Sequence, residues 1–266
     1  MLLRETLDAV AAVLLPAPCR ICGMTLTSAS RIPICEECFA QIQPIADPKC
    51  QTCGRPFVSL VTFDAIEPLC FACRKKTFAF QRARSFAIYN NVLGGAIVLL
   101  KYHEVGPLGR WFASLLEPVV RADFAAQQFD VIVPVPLHPA RKRERGYNQA
   151  ELIARPLARR LGLRVATFLL VRTRPRPPRL LLTFRERWET VRGAYETRKG
   201  AQVDKLRILL VDDVFTTGAT LDSCSRALLA AGAASVCAVT VARVVPELSV
   251  AAINASGASN IVIERD

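Results

Sequence analysis

An α/β fold, with a parallel sheet carrying helices on both faces and a small cysteine-rich module ahead of it, follows from three observations in the 266-residue sequence. Short apolar runs alternate with segments of helical periodicity from residue 83 onward, the pattern of strand–helix–strand units in a parallel sheet. Eight of the ten cysteines lie ahead of residue 74 as four Cys-x-x-Cys pairs. Residues 208–220 read Ile-Leu-Leu-Val-Asp-Asp-Val-Phe-Thr-Thr-Gly-Ala-Thr, an apolar strand with two acids at its carboxyl end and then a hydroxyl-rich turn.

At the start of the chain, residues 2–15 read as an amphipathic helix that packs onto the fold. Glu5 and Asp8 beside a single Arg4 do not make the basic start of a secretory signal. Pro18, directly before Cys19, is not the small residue a lipoprotein anchor places there. No apolar run reaches the roughly 18 residues of a membrane span. The expectation is a cytoplasmic protein, where thiols stay reduced.

The pairs are Cys19/Cys22, Cys35/Cys38, Cys50/Cys53 and Cys70/Cys73, separated by 12 residues within the first two and 16 within the last two. That is close to zinc-ribbon spacing, in which two knuckles complete one tetrahedral site of four thiolates. Gly23 and Gly54 each follow the second cysteine of a pair, as a tight knuckle turn prefers. A disulfide framework is the competing account, and it needs export. Eight thiolates favour two structural zinc ions, with no open coordination position. Cys224 and Cys237 sit in apolar company and read as buried bystanders. The organisation expected is an N-terminal helix and double zinc ribbon over residues 1–76, then an α/β domain over residues 77–266.

Within that second domain, a strand is expected at Ala83–Tyr89, a turn at Gly94-Gly95, and helices near Ala96–Tyr102 and from Leu108 to about Ala126. Asp130–Val135 is an apolar strand. Gln149–Leu161 is helical, with a kink or early break at Pro156, whose ring costs about 3 kcal/mol inside a helix. Arg207–Val211 is the strand before the acids, Thr220–Ala231 its helix, and Val236–Arg243 the next strand. Asn260–Glu264 is a candidate edge strand.

The acids and the turn after them carry chemistry. Ligands of parallel sheets sit beyond the carboxyl ends of the strands. A turn entering a helix presents N–H groups and a positive dipole end to phosphate. Thr216, Thr217 and Thr220 add hydroxyls, and Gly218 lets the backbone close around an anion. Asp212 and Asp213 would repel that anion, so vicinal sugar hydroxyls, or a magnesium ion shared with them, are the partners that suit two carboxylates. A simple helix cap is the plainer alternative. It needs one acceptor, whereas adjacent carboxylates about 4 Å apart cost roughly 1–4 kcal/mol.

Charge is one-sided. Residues 141–199 hold 17 Lys and Arg against 5 Asp and Glu, an excess of 12 that equals the net charge of the chain. Such a lobe suits an anionic partner, either pyrophosphate or single-stranded nucleic acid. Its aromatic residues, Tyr147, Phe168, Phe184, Trp188 and Tyr195, are few for a dedicated single-strand binder. Trp188 reads as packing within the lobe and Trp111 as core, while His138 reads equally as a turn residue or a phosphate contact.

A second constellation precedes the acids: Val133-Pro134-Val135-Pro136-Leu137-His138, then Arg141-Lys142-Arg143-Glu144-Arg145-Gly146-Tyr147-Asn148-Gln149. The run at 208–220 resembles the phosphoribosyl pyrophosphate (PRPP) motif of type I phosphoribosyltransferases. The whole order of cysteine pairs, Val-Pro-Val-Pro-Leu-His, Arg-Gly-Tyr-Asn-Gln and PRPP motif resembles the ComF family of competence proteins, from about Cys19 to Arg243.

By that resemblance the sheet is type I phosphoribosyltransferase-like. Asp212 and Asp213 hold the ribose as catalytic residues, and Thr216, Thr217, Gly218, Ala219 and Thr220 cradle the 5-phosphate. Val135, Pro136 and Leu137 lie in the loop, residues 135–138, that holds pyrophosphate through backbone N–H groups. Lys101 stands near the substrate, and Arg145, Tyr147, Asn148 and Gln149 form the family's signature segment. PRPP with magnesium is the implied ligand, with phosphoribosyl transfer as the implied activity. The alternative it implies is handling of single-stranded DNA during DNA uptake, without catalysis, alone or with a competence helicase. Arg179 and Thr190 depart from the family pattern, where glutamine and asparagine are usual, so no acceptor specificity carries over.

Overall fold

A computed structural model describes residues 17–26, 31–57, 68–75, 78–103, 105–125, 128–175 and 184–245. The helix expected at 2–15, Arg179 and the strand expected at Asn260–Glu264 lie outside these residues.

The sheet is built from β1 (Arg82–Ile88), β2 (Val131–Pro134), β3 (Arg164–Val165), β6 (Arg207–Phe215) and β7 (Ser235–Arg243). They run in the spatial order β1-β7-β6-β2-β3, with every pairing parallel. The helices are α1 (Glu36–Ala40), α2 (Phe71–Lys75), α3 (Asn91–Tyr102), α4 (Pro107–Asp123), α5 (Pro139–Arg145), α6 (Gln149–Leu161), α7 (Phe184–Val191) and α8 (Ala219–Ala230). A small antiparallel pair, β4 (Leu170–Arg172) and β5 (Tyr195–Thr197), stands apart from the main sheet.

β6 and β7 are buried along almost their whole length, which is why they read as continuous apolar runs rather than alternating ones. One core, on the face of Leu209 and Val211, collects Leu99 and Leu100 of α3, Phe112 and Leu116 of α4, and Ile153 and Leu157 of α6. The other, on the face of Ile208 and Leu210, collects Leu221, Cys224 and Leu228 of α8 with Leu170 and Tyr195. Each fully buried leucine or isoleucine contributes roughly 1.5–3 kcal/mol.

Two expectations need correction. Gly94-Gly95 is not a turn, because α3 begins at Asn91, where Asn90 caps it by accepting from Leu93 N at 2.9 Å. The two glycines lie inside the helix, where a Cβ on Gly94 would meet the Tyr89 ring and one on Gly95 would meet Ile21. Pro156 does not end α6, which runs unbroken to Leu161. Burial of Ile153, Ala154, Leu157 and Ala158 around the proline holds the helix against the lost hydrogen bond. After His138, Pro139–Arg145 forms α5. Its proline at the first helical position suits a helix start.

The cysteine module closes the sheet's open edge. Ile45 N donates to Phe86 O at 2.8 Å, Ile88 N to Gln43 O at 3.0 Å, and Ala83 N to Thr52 O at 2.7 Å. An edge strand left bare would present unpaired backbone groups to other chains. Cys19, Cys35 and Cys38 belong to one core, and Cys50, Cys53 and Cys70 to the other, so the module straddles the edge. Trp111 is not core but half-buried. It packs on Phe39 of the first ribbon, with ring centroids 4.8 Å apart.

Candidate functional site

β6 does not end before the acids. It continues to Phe215, because β7 matches it to the last residue, Phe215 opposite Arg243. Asp212 and Asp213 are therefore strand residues, 8% and 5% exposed, and neighbouring strand residues face opposite ways. Asp213 points to the α3 side, where it forms an ion pair with Lys101. Asp212 points to the α8 side, and its charge acts on the buried Cys224 thiol. Asp212 Oδ1 also accepts from the Asp213 N–H at 2.9 Å.

The two carboxyls respond differently to burial. Burial raises the pKa of Asp212, and the neighbouring Asp213 charge raises it further. Burial opposes ionisation of Asp213 too, but the Lys101 ammonium outweighs it and holds that carboxyl below the usual range. Burial thus disfavours the charged form of Asp212 while Lys101 favours that of Asp213, and a carboxylate beside a fixed ammonium is suited to accepting hydrogen bonds from neutral hydroxyls.

After Phe215 the chain bends through Thr216 and Thr217, and Gly218 takes a left-handed conformation with φ of 80°. α8 begins at Ala219, one residue earlier than expected. Thr217 Oγ1 accepts from Ala219 N at 3.3 Å. A Cβ on Gly218 would lie 2.7 Å from Phe215 Cζ and 2.8 Å from Phe78 Cε1, so glycine is demanded by both backbone and packing. Asp222 in the first turn is buried, accepting from Ala79 N at 2.7 Å and from Arg226 Nε at 2.8 Å.

The second loop leaves β2, the neighbour of β6, so both loops open at the same end of the sheet. Val135 is buried and donates its N–H to Val211 O at 2.9 Å, while Pro136 and Leu137 are half-buried. His138 caps α5, its Nδ1 accepting from Ala140 N at 3.3 Å. The Arg-Gly-Tyr-Asn-Gln segment is a brace. Arg145 donates to Gln149 Oε1 at 2.6 Å and lies 4.8 Å from the Tyr102 ring centroid. Tyr147 donates to Leu100 O at 2.6 Å, one residue before Lys101. Asn148 donates to Val135 O at 3.0 Å and caps α6 through Ala150 N at 3.1 Å. One short segment thus fixes the β2 loop, the start of α6 and the end of α3.

The basic lobe is partly neutralised. Arg155 pairs with Glu151, Arg160 with Glu117 across two helices, and Arg141 with Glu144. Arg141, Lys142 and Arg143 of α5 stay exposed. Trp188 packs against Phe78, with centroids 5.9 Å apart.

Two groups of four cysteines draw together, Cys19, Cys22, Cys35 and Cys38, and Cys50, Cys53, Cys70 and Cys73. Within them Sγ atoms stand 3.8 Å (Cys19–Cys38), 3.5 Å (Cys22–Cys35) and 3.7 Å (Cys53–Cys70) apart. Tetrahedral zinc with bonds near 2.3 Å spaces its sulfurs about 3.8 Å apart. Backbone N–H groups of Cys35 and Cys70 donate to Cys19 and Cys50 Sγ, each at 3.3 Å, as zinc-bound thiolates require. The donor sets fit two structural zinc ions.

Sequence reading missed Arg243, the last residue of β7. It is 6% exposed, donates to Cys53 O at 2.6 Å and to Cys53 Sγ at 3.2 Å, and lies 4.1 Å from the Phe215 ring centroid. Arg84 is a second such residue, buried and donating to Gln51 O at 3.0 Å and Asp123 Oδ1 at 3.0 Å. The available signal was an arginine in each of two otherwise largely apolar strands, Arg84 within β1 and Arg243 at the end of β7.

The architecture is that of a double zinc ribbon domain, matched over residues 10–74, followed by a phosphoribosyl transferase domain, matched over residues 118–246. The chain belongs to the ComF family of competence proteins. It is 31% identical over 226 residues to the DNA utilization protein YhgH of Salmonella typhimurium, covering 83% of this chain and 94% of that protein. It is 28% identical over 218 residues to competence protein ComFC of Bacillus subtilis, covering 79% and 84% respectively. Among solved structures it is similar to glutamine PRPP amidotransferase from B. subtilis, at a TM-score of 0.37 and 19% identity. That likeness covers 54% of this chain and 30% of the longer one. Among the described residues no helix is long and apolar enough to cross a membrane.

Proposed function

We propose that this chain binds PRPP with magnesium at the carboxyl end of β2 and β6 and transfers its phosphoribosyl group to a nucleophile. One observation carries the reading: two adjacent buried acids sit in the strand that feeds a hydroxyl-lined bend at the start of the twelve-residue α8. Asp212 and Asp213 accept from the ribose hydroxyls, and Lys101 keeps Asp213 charged for that task. Thr216 to Thr220 take the 5-phosphate through hydroxyls and helix N-terminal N–H groups. The loop at Val135, Pro136 and Leu137 takes pyrophosphate and is held in place by Asn148, within the segment that also carries Arg145, Tyr147 and Gln149. Magnesium supplies charge neutralisation on the departing pyrophosphate and suits the hard oxygen donors present. The C1–O bond breaks with positive charge developing on the ring, so orientation of the sugar is the chain's main contribution. Eight unbridged thiols fit a reducing compartment such as the cytoplasm.

Calorimetry with PRPP and magnesium tests the binding, and Asp212→Ala with Asp213→Ala is expected to abolish it. Pyrophosphate release with a nitrogenous acceptor tests the transfer. Absence of heat with the wild-type protein would overturn the reading.

A second reading, handling of single-stranded DNA, is favoured by the exposed Arg141, Lys142 and Arg143 and by relatives named for DNA utilization and competence. Affinity for single strands would then fall with salt by about 0.7 log units per log unit for each phosphate contacted. A flat salt profile sinks it.

A further inference from the structure

We infer that Arg243 couples the second zinc site to the bend at residues 216–220, so that this metal is part of what shapes the anion-binding loop. The contacts form a short chain. The Arg243 guanidinium donates through Nη1 to Cys53 O at 2.6 Å and through Nη2 to Cys53 Sγ at 3.2 Å. Its flat face lies 4.1 Å from the Phe215 ring centroid. The edge of that ring reaches Gly218, where no Cβ could fit. Phe215 is also fixed through its backbone, its carbonyl accepting from Val244 N at 2.9 Å. A four-thiolate zinc site carries a net charge of about −2, so a buried guanidinium on one of its sulfurs is both neutralising and neutralised. An arginine suits this place because its fork can serve a carbonyl and a sulfur while its face stacks on a ring.

A second connection runs in parallel. Phe78 lies shortly after Cys73, and it meets both Phe215, with centroids 6.5 Å apart, and the space beside Gly218. The next residue, Ala79, donates its N–H to Asp222 in the first turn of α8. The bend is therefore held by two sets of contacts, one through Arg243 and Phe215 and one through Phe78 and Ala79. The first ribbon makes a different kind of contact, apolar and on the other face, through Phe39 on Trp111 and Ile21 on Gly95. Arg243 is a positioning residue: it acts on the loop through Phe215, and on the metal through Cys53.

The consequence for ligand affinity rests on the proposed phosphate role of the bend, whereas the coupling itself does not. Arg243→Met and Arg243→Lys are compared with the zinc-loaded wild-type protein, with Phe39→Leu as a control on the first ribbon. The coupling predicts that in both Arg243 variants one of the two zinc ions passes to a chromogenic chelator at least about 10-fold faster, the usual scale of an outer-shell loss. It predicts faster hydrogen–deuterium exchange over residues 215–222 in the same variants, and no change there in Phe39→Leu. If Arg243→Met does not fold, Arg243→Lys decides, since it retains the charge but not the fork. Wild-type exchange at 215–222 in the Arg243 variants overturns the coupling, as does equal loosening by Phe39→Leu. Titration with PRPP and magnesium is read separately, with at least about 10-fold weaker binding expected for Arg243→Met. Failure of the wild-type protein to bind PRPP would remove the functional reading and leave the exchange result to judge the coupling.

Discussion

Lys101, in the last turn of α3, and Asp213, inside β6, form an ion pair whose side chains are 14% and 7% exposed. Removing one partner of a buried pair strands the other charge, at a cost of about 3–5 kcal/mol. Lys101→Met is therefore expected to destabilise strongly, and combining it with Asp213→Asn to recover part of the loss. A double-mutant cycle from urea unfolding measures the coupling. Additive losses would show that the pair contributes no interaction of its own.

Gly218 and Gly146 share a φ of 80°, but only Gly218 is packed; nothing lies within 4 Å of a Cβ built on Gly146. Left-handed backbone costs an ordinary residue about 1–2 kcal/mol. Gly146→Ala is expected to lose that much, whereas Gly218→Ala loses more and distorts the bend. Unfolding free energies of the two variants separate backbone strain from steric conflict, and equal losses would deny the packing described.

The brace formed by Tyr147 and Asn148 is expected to act on stability and on the loop together. Tyr147→Phe removes one hydrogen bond, about 1 kcal/mol. Asn148→Ala removes a helix cap and a bond to Val135 O, about 1–3 kcal/mol in all. Calorimetry should find Asn148→Ala weaker for pyrophosphate than Tyr147→Phe, because Asn148 donates directly to Val135 O in the β2 loop.

Much of this was legible in advance, and for different reasons. The strands of the sheet and the cysteine pairs announce themselves through apolar runs and fixed spacing, signals that depend on local sequence. The extension of β6 past Asp213 was not legible, because it depends on β7 pairing alongside to Arg243. Helix α3 was obscured by Gly94-Gly95, whose role is to let Tyr89 and Ile21 approach. Pro156 misled in the other direction, since a break that propensity favours is overruled by burial. Arg145, Tyr147, Asn148 and Gln149 stood out as a motif, yet their bonds run to backbone and to one another, which no pattern of residue types reveals.

Metal removal supplies a further test. Two zinc ions per chain are expected by elemental analysis, and strong chelation is expected to unfold the ribbons, as structural zinc contributes about 10–16 kcal/mol in small zinc peptides. The hydrogen bonds from the module to β1 should then be lost, seen as rapid amide exchange at Ala83 and Ile88. Persistent protection there after complete zinc loss would contradict the docking described.

The start of the sheet carries a pH-dependent clasp. Arg207 donates to both Asp130 oxygens, at 2.7 Å and 3.0 Å. The Arg207 side chain lowers the Asp130 pKa to about 2. A depressed carboxyl contributes stability above its unfolded value near 3.9, and that contribution disappears as pH falls through about 2. Asp130→Asn should therefore be less stable than wild type at pH 5, with the gap closing towards pH 2. Parallel urea curves at the two pH values check the sign.

Because β1 pairs with β7, Arg82 opposite Cys237, the strand that carries the zinc ribbons must wait for nearly the last part of the sheet to be synthesised. At ordinary translation speeds that interval is roughly 10–30 s. During it the ribbons can take up their ions and fold locally, but Arg243, which grips Cys53, does not yet exist. A nascent chain caught at that stage has a finished metal module and a first strand still bare on the side that β7 will fill. It is there, on the ribosome, that this architecture most needs a chaperone.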